Sequence, residues 1–113
     1  MERRKFPRAQ TSAIVLMRNI RDGKSGPVQV ELRNLSASGA LLIGAGLDLE
    51  DFVRLDIRLR GVRRLRLHAR VVRRERQLTA VAFEHVPPDV EDAIQNWVLT
   101  QLELARCTAG EGA

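Results

Sequence analysis

Hydrophobic and polar residues alternate along most of this chain, and short turn-forming segments separate the alternating stretches. A period of two is typical of strands that bury one face and expose the other. The pattern predicts six strands, at about residues 11–20, 28–32, 40–43, 53–60, 64–73 and 77–83. Six short strands with tight connections predict a small barrel or sandwich.

The period changes after Pro87, where apolar residues recur at helical spacing and predict one α-helix over about 89–105. The predicted stripe consists of Val90, Ile94, Trp97, Val98, Gln101 and Leu102. Acidic residues in the first turn complement the helix dipole. We expect this stripe to cover an open end or face of the barrel, and residues 106–113 to form a frayed tail.

The connection at Gly61 bears on how two of the strands pair. Matching their polar and apolar faces places Asp56 opposite His68, and Arg54 opposite Arg70, on the outer side. His68 is therefore interpreted as a cross-strand surface residue rather than a metal ligand.

Length and composition limit the class of protein. With 113 residues, 44% hydrophobic and 29% charged, the chain fits one globular domain and excludes a disordered tail, a collagen-like repeat and a coiled coil. No apolar run is long enough for a membrane span or a signal peptide, so we expect a cytoplasmic protein. The single cysteine, Cys107, cannot form an internal disulfide.

The net charge of +5 is unevenly distributed, and 17 of the 19 basic residues are arginine. Residues 1–10 carry a charge of +3, and residues 54–76 carry +8. The second segment alternates with apolar residues, which indicates the outer face of a sheet. The first segment has no apolar periodicity, and Pro7 keeps Phe6 out of the helical region. We interpret residues 1–10 as an extended, flexible arm.

The sequence offers little for catalysis. His68 and His85 have no serine or cysteine partner at a suggestive spacing, and no glycine loop precedes a helix to hold phosphate. The acidic cluster at 48–51 lacks the regular spacing of a calcium loop and is interpreted as a solvated loop. We therefore predict a protein that is not an enzyme, without a catalytic residue, metal or cofactor.

Binding chemistry is present at two places. In the arm, Arg4 and Arg8 are about 13 Å apart on an extended chain and can hold a ligand from two sides. A guanidinium group bonds phosphate oxygens bidentately, matches the O6 and N7 acceptors of guanine and stacks on a base. The second place is Asn34, Ser36 and Gly39, where an amide, a hydroxyl and an unhindered backbone come together. Gly39 permits either a positive φ or the close approach of a flat ligand to the backbone. On its own, the second pattern also fits an ordinary connection between strands.

The two motifs together resemble the PilZ domain family. The motifs are Arg4-Lys5-Phe6-Pro7-Arg8 and Asn34-Leu35-Ser36-Ala37-Ser38-Gly39, and with the later Val-Ala-Phe strand and the terminal helix the resemblance covers about residues 2–105. It implies a six-stranded antiparallel β-barrel with a C-terminal helix that binds the bacterial second messenger cyclic di-GMP. The family accepts Asp or Asn at the position of Asn34, and the amide lacks a carboxylate that could pair with the guanine edge, which implies a lower affinity.

The resemblance also implies roles for particular residues. Arg4 and Arg8 would bond phosphate and the guanine O6/N7 edge, and Arg3 is a third candidate. Asn34 and Ser36 would read guanine edges or phosphate, while Gly39 would leave room for the ligand. Binding would order the arm against the barrel and present a new surface to an effector protein of unknown identity.

Two alternative functions stay open at this point. One is a PilZ-type adaptor that acts through protein contacts without binding nucleotide. The other is a small basic barrel that binds RNA or DNA through residues 54–76. The second is disfavoured because no aromatic residue is interleaved with those arginines to stack on bases.

Overall fold

The computed structural model describes residues 9–19, 27–44, 46–59 and 61–111. Six antiparallel strands close into a barrel in the order β1-β2-β3-β6-β5-β4. The strands are β1 (Ala9–Asn19), β2 (Val28–Leu35), β3 (Gly39–Ile43), β4 (Phe52–Ile57), β5 (Leu65–Glu75) and β6 (Leu78–Glu84), and a single helix, α1 (Pro88–Glu111), follows them. The predicted barrel with a C-terminal helix is confirmed.

The barrel interior is filled by the apolar members of the alternating pattern. Val53, Leu55 and Ile57 of β4 are fully buried, and they alternate with residues that are at least partly exposed. Burying a side chain of this kind stabilises the folded state by about 1.5–3 kcal/mol. Because a closed barrel has no free strand edge, the outer face and the turns are the surfaces left for binding.

The pairing of β4 with β5 differs from the predicted register by two residues. Asp56 lies opposite Arg66, and Arg54 lies opposite His68. The connection is longer than expected because buried Leu59 leaves the ladder and accepts a hydrogen bond from the Val62 backbone at 3.1 Å. A shift of two residues keeps each side chain on the same face, so face matching could not distinguish the two registers.

The helix closes one side of the barrel. Ile94, Trp97 and Val98 are buried in the barrel core, as the stripe predicted, whereas Leu102 at its end is 39% exposed. The helical backbone continues to Glu111, six residues beyond the predicted end, since no proline interrupts it. No helix among the described residues has the length and hydropathy needed to cross a membrane.

Candidate ligand site at the turn between β2 and β3

The turn from β2 to β3 is held together by Ser36. Its backbone N–H donates to the Gly39 carbonyl at 2.9 Å, and its Oγ accepts from the Ser38 backbone N–H at 3.2 Å. The Ser36 and Ser38 hydroxyls lie 3.1 Å apart, within hydrogen-bonding distance. Ser36 is only 1% exposed, so its first role is to fix the shape of the turn. A ligand contact by its hydroxyl stays a prediction.

Asn34 lies at the end of β2, where two irregularities in the ladder set its position. β2 runs on to Leu35, so the strand pairing breaks at Ser36 rather than at Asn34 as expected. The register shifts beside Asn34 both in the pairing of β2 with β3 and in that of β1 with β2. Its side-chain Oδ1 is buried and has no hydrogen-bond partner among the described residues. A buried oxygen of this kind costs about 1–3 kcal/mol, so it is an acceptor available to an incoming donor.

Gly39 has a role that the sequence did not predict, and the expected close approach of a ligand stays a prediction. Gly39 does not adopt a positive φ, which the glycines at 44, 46 and 61 do. Instead β6 passes so close that a Cβ at Gly39 would lie 2.3 Å from the Val81 carbonyl oxygen. The Phe83 backbone N–H also donates to the Ser38 carbonyl at 2.9 Å. The close approach at Gly39 is therefore made by the protein's own backbone, and it lets the barrel close between β3 and β6.

A groove of about 380 Å³ lies on the outer surface beside this turn. It is lined by Ser38, Gly39, Ala40, Val72, Arg73, Ala80, Val81 and Ala82. The alternating pattern does not reveal this surface, because it predicts one outer face for the arginines from 54 to 76. A possible signal was the pair of alanines at outward positions of β6, where a small residue leaves space on the sheet.

The arginine arm joins the barrel next to the turn. Residues 1–8, which include the predicted ligand residues Arg3, Arg4 and Arg8, lie outside the described residues. The described chain begins at Ala9, which is 2% exposed and pairs with Leu35, the residue before Ser36. The described chain therefore enters β1 beside the turn 34–39.

Most arginines of the outer face near β4 and β5 are paired with carboxylates. Arg64 donates to both oxygens of Asp56, and this hydrogen bond is the main cause that lowers the pKa of Asp56. Arg63 likewise bonds Asp89 and lowers its pKa. Further along β5, Arg70 lies 3.3 Å from both Glu50 and Glu84, and Arg74 lies 3.2 Å from Asp48. This face is thus a network of ion pairs as well as a basic surface.

The acidic loop at 48–51 is held by ion pairs and a backbone hydrogen bond. Asp48 and Glu50 pair with arginines of β5, and buried Asp51 accepts a hydrogen bond from the Asp48 backbone at 2.9 Å. Asp51 therefore stabilises its own loop rather than lying in a fully solvated one. Within the described ranges, no group of three or more potential ligand side chains lies close enough to hold a metal ion.

A larger groove, of about 460 Å³, lies between α1 and the connection from β4 to β5. Trp97 and Val62 form part of its wall, and Arg63, the one charged lining residue among those described, bonds Asp89. The described lining is therefore mostly apolar and neutral polar, with its guanidinium already bonded to a carboxylate.

Comparison with known proteins agrees with this architecture. The PilZ domain profile matches residues 2–100. YcgR from Escherichia coli in complex with c-di-GMP superposes with a TM-score of 0.77 at 17% identity, over 100% of this chain and 52% of that one. The inhibitor of motility MotI/DgrA from Bacillus subtilis gives 0.74 at 17% identity, over 90% of this chain and 52% of that one.

The PilZ domain of CeSA from a cellulose-synthesising bacterium gives a TM-score of 0.64 at 23% identity, over 83% of this chain and 96% of that one. The present chain thus spans about half the length of the YcgR and MotI structures but nearly all of an isolated PilZ domain. The comparison with curated proteins finds no match. Because the profile matches residues 2–100, which contain all six strands, the chain belongs to the PilZ domain family.

Proposed function

We propose that this chain is a non-catalytic receptor for cyclic di-GMP, which binds at the turn 34–39 and is enclosed by the arginine arm. Membership of the PilZ family supports this function. So does the likeness to E. coli YcgR and to PlzA from Borreliella burgdorferi, both of which were solved in complex with c-di-GMP. A receptor for an intracellular messenger acts in the cytoplasm.

The observation that carries the proposal is the unpartnered oxygen of Asn34. Its Oδ1 is buried beside the turn and has no partner among the described residues, so this part of the chain leaves the acceptor unsatisfied. The Watson–Crick edge of guanine presents N–H donors, and one of them can complete this hydrogen bond. Ligand binding then removes a penalty already present in the fold, which favours a ligand with a donor edge over a plain phosphate.

The arm supplies the positive charge that the turn lacks. Covalent geometry keeps the Cα of Arg8 about 3.8 Å from that of Ala9, and the Cα of Arg4 within about 18 Å. Ala9 itself pairs with Leu35, which supports the proposal because the segment that carries both arginines is covalently attached beside the turn. They can bond the two phosphates and stack on the bases. Ordering of the arm would change the surface seen by an effector protein, which is how a domain without catalysis transmits a signal.

Calorimetric titration with cyclic di-GMP at fixed salt tests this function. Arg4→Ala and Arg8→Ala should each weaken binding by several kcal/mol, since each removes charge-assisted hydrogen bonds of about 1.5–3 kcal/mol plus stacking. The matched control is the double change of Arg64 and Arg66 to Ala, which removes two arginines beside Asp56 and should leave the affinity nearly unchanged.

The outcomes separate the competing functions. If the wild-type protein gives no binding heat at ligand concentrations that saturate known receptors, it is not a nucleotide receptor, and the adaptor function gains support. A large loss in the control variant would move the site to the β4–β5 surface. In that case, binding of a random oligonucleotide with a steep salt dependence would favour the nucleic-acid function.

A further inference from the structure

The outer face where β1 meets β4 combines apolar with basic residues. In the closed strand order this junction lies opposite the junction of β3 and β6, so it is on the other side of the barrel from the groove on those two strands. Val15 and Met17 of β1 are buried, and the residues that alternate with them are therefore outside. These are Ile14, Leu16 and Arg18, of which Ile14 is 59% exposed and Leu16 38%. Neighbouring apolar side chains on an outer sheet face are typical of a surface that contacts another molecule.

Two arginines beside this apolar pair lack an acidic partner. The register places Arg18 directly opposite Arg54 on β4. Like charges in this arrangement repel each other and destabilise the strand pairing. Neither arginine forms an ion pair or hydrogen bond with the part of the chain that the structure describes, whereas Arg63 and Arg74 each pair with a carboxylate. Within the described chain the two cations have no counter-ion, which leaves them to an anion supplied by another molecule.

A groove of about 180 Å³ joins the basic and apolar parts of this face. Its charged lining consists of Arg18, Arg54, Arg64, Arg66 and Asp56. The Nε of Arg64 donates to Asp56 at 2.6 Å, and a terminal nitrogen of Arg66 lies 3.9 Å from the same carboxylate. Four guanidinium groups thus share one carboxylate, and Leu16 lines the groove beside them. The groove therefore offers cationic and apolar contacts side by side.

The size of this face limits what it can bind. From Ile14 to Arg18 the β1 strand spans about 13 Å, and β1 and β5 are two strand spacings, or about 10 Å, apart. This area fits a few residues of an extended chain and is far below the roughly 800 Å² per partner of a stable protein complex. Because the barrel is closed at this junction, a partner cannot add as another strand and must be recognised through side chains.

We propose that the outer face of β1, β4 and β5 docks a short acidic segment of a partner protein. Carboxylates of the segment bond Arg18 and Arg54, since a guanidinium fork binds a carboxylate bidentately and arginine is enriched in protein interfaces. An apolar side chain next to those carboxylates packs on Ile14 and Leu16. The nucleotide site is not involved, so this inference goes beyond the proposed function.

Two other polyanions fit this face less well. A single-stranded nucleic acid is bound by stacking on aromatic side chains, and the described lining of the groove contains none. A bilayer surface presents negative charge everywhere, including opposite Asp56, whereas a peptide can place a hydrogen-bond donor there. Neither polyanion uses the exposed apolar pair in the way that a mixed acidic and apolar segment does.

Selection from a library of short random peptides displayed on phage tests the proposal without a known partner. Wild-type protein should enrich sequences in which Asp or Glu stands next to Leu, Ile or Phe. A selected peptide is then synthesised with a fluorescent label, and its affinity is measured by fluorescence anisotropy. The double variant Arg18→Ala/Arg54→Ala should bind it about 10-fold more weakly or worse, because each arginine makes charge-assisted hydrogen bonds. The double variant Arg63→Ala/Arg74→Ala removes the same charge from existing ion pairs and should change the affinity by less than about twofold.

A second variant tests the apolar part with all charges kept. Ile14→Ser/Leu16→Ser should weaken peptide binding about fivefold or more through loss of apolar contact, while urea unfolding stays cooperative because both side chains are exposed. If no acidic sequences are enriched, or if the Arg18→Ala/Arg54→Ala variant binds the selected peptide as tightly as wild type, the docking surface is wrong.

Two further measurements separate this surface from other functions. Phosphatidylglycerol vesicles or a random oligonucleotide could bind more tightly than the selected peptide and lose that binding in Arg18→Ala/Arg54→Ala. Either result would assign the face to a membrane or to nucleic acid and overturn the proposal. The affinity of this variant for cyclic di-GMP should equal that of wild type, so failure of the docking surface would leave the receptor function standing.

Discussion

Two regions of the barrel surface carry arginine in quite different surroundings. At the start of β5, Arg64 and Arg66 share Asp56, and Arg63 bonds Asp89 at the start of the helix. At the end of β5, Arg73 stands beside a floor of small residues and has no acidic partner among the described residues. The density of arginine along the chain is similar in both regions. What distinguishes them is whether a carboxylate neutralises the cation and whether space is left beside it.

The comparison indicates separate roles for the two regions. Exposed ion pairs contribute little to stability, and they reduce the net charge available to a polyanion. The turn and the groove beside it combine a tight backbone contact at Gly39 with an acceptor at Asn34 and a cation at Arg73, neither of which has a partner among the described residues. We therefore expect substitutions in the groove region to have the larger effects, on stability as well as on binding.

The largest effect on stability is expected for Gly39→Ala. The new methyl group would lie 2.3 Å from the Val81 carbonyl oxygen, so β3 and β6 must separate. The expected loss is about 2 kcal/mol or more in the free energy of unfolding, measured by urea denaturation. Gly44→Ala is the control, because its Cβ would meet open space and only its positive φ of 71° resists the change, at about 1 kcal/mol. A smaller loss at position 39 than at 44 would contradict the close approach.

A smaller loss is expected for Ser36→Ala. The substitution removes the acceptor for the Ser38 backbone N–H in a buried turn, which should cost about 1–2 kcal/mol in the same measurement. Ser38→Ala is the matched control, since Ser38 is exposed and its backbone N–H keeps its acceptor, and it should cost less than about 0.5 kcal/mol. Equal losses in the two variants would mean that the Ser36 hydroxyl does not hold the turn.

The smallest effect is expected in the paired region and depends on pH. The hydrogen bond from Arg64 lowers the pKa of Asp56 below its usual 3.8 in the folded protein. The ionised carboxylate therefore stabilises the folded state above pH 3.8, and this stabilisation is lost as the pH falls through the lowered pKa. Asp56→Asn should be slightly less stable than wild type at neutral pH and should approach it in acid.

Urea denaturation of both proteins over a descending pH series measures this convergence. Arg64→Gln should flatten the pH dependence in the same way as Asp56→Asn, because it removes the main partner of the carboxylate. A stability difference between wild type and Asp56→Asn that stays constant through the acid range would show that the pair does not influence the titration.

The sequence predicts the strands and the helix well because both depend on local periodicity. The β4–β5 register is not determined in the same way, since a shift of two residues leaves Asp56 and Arg54 on the outer face in either arrangement. The end of the helix was also placed too early, because a gradual loss of apolar spacing after Leu102 does not stop the backbone from continuing in the helix.

At the site, the sequence identifies the turn but not all the contacts between strands that shape it. Asn34 and Ser36 stand out by residue type, whereas the reason for Gly39 lies in a strand more than forty residues away. Arg73 could not be recognised by alternation, because the bulge at Val72 reverses the face that its position predicts. The arm residues Arg3, Arg4 and Arg8 lie outside the described residues, and their contacts stay a prediction.

The pairing of Ala9 with Leu35 has a kinetic and thermodynamic consequence for the proposed receptor. A segment of about eight residues that starts beside its own target has an effective concentration in the millimolar range or above. Capture of the ligand by the turn and closure of the arm are then a bimolecular step followed by an intramolecular one. Lengthening the chain between Arg8 and Ala9 with glycine and serine would lower that local concentration, and the arm would lose affinity for the bound ligand although no contact residue had changed.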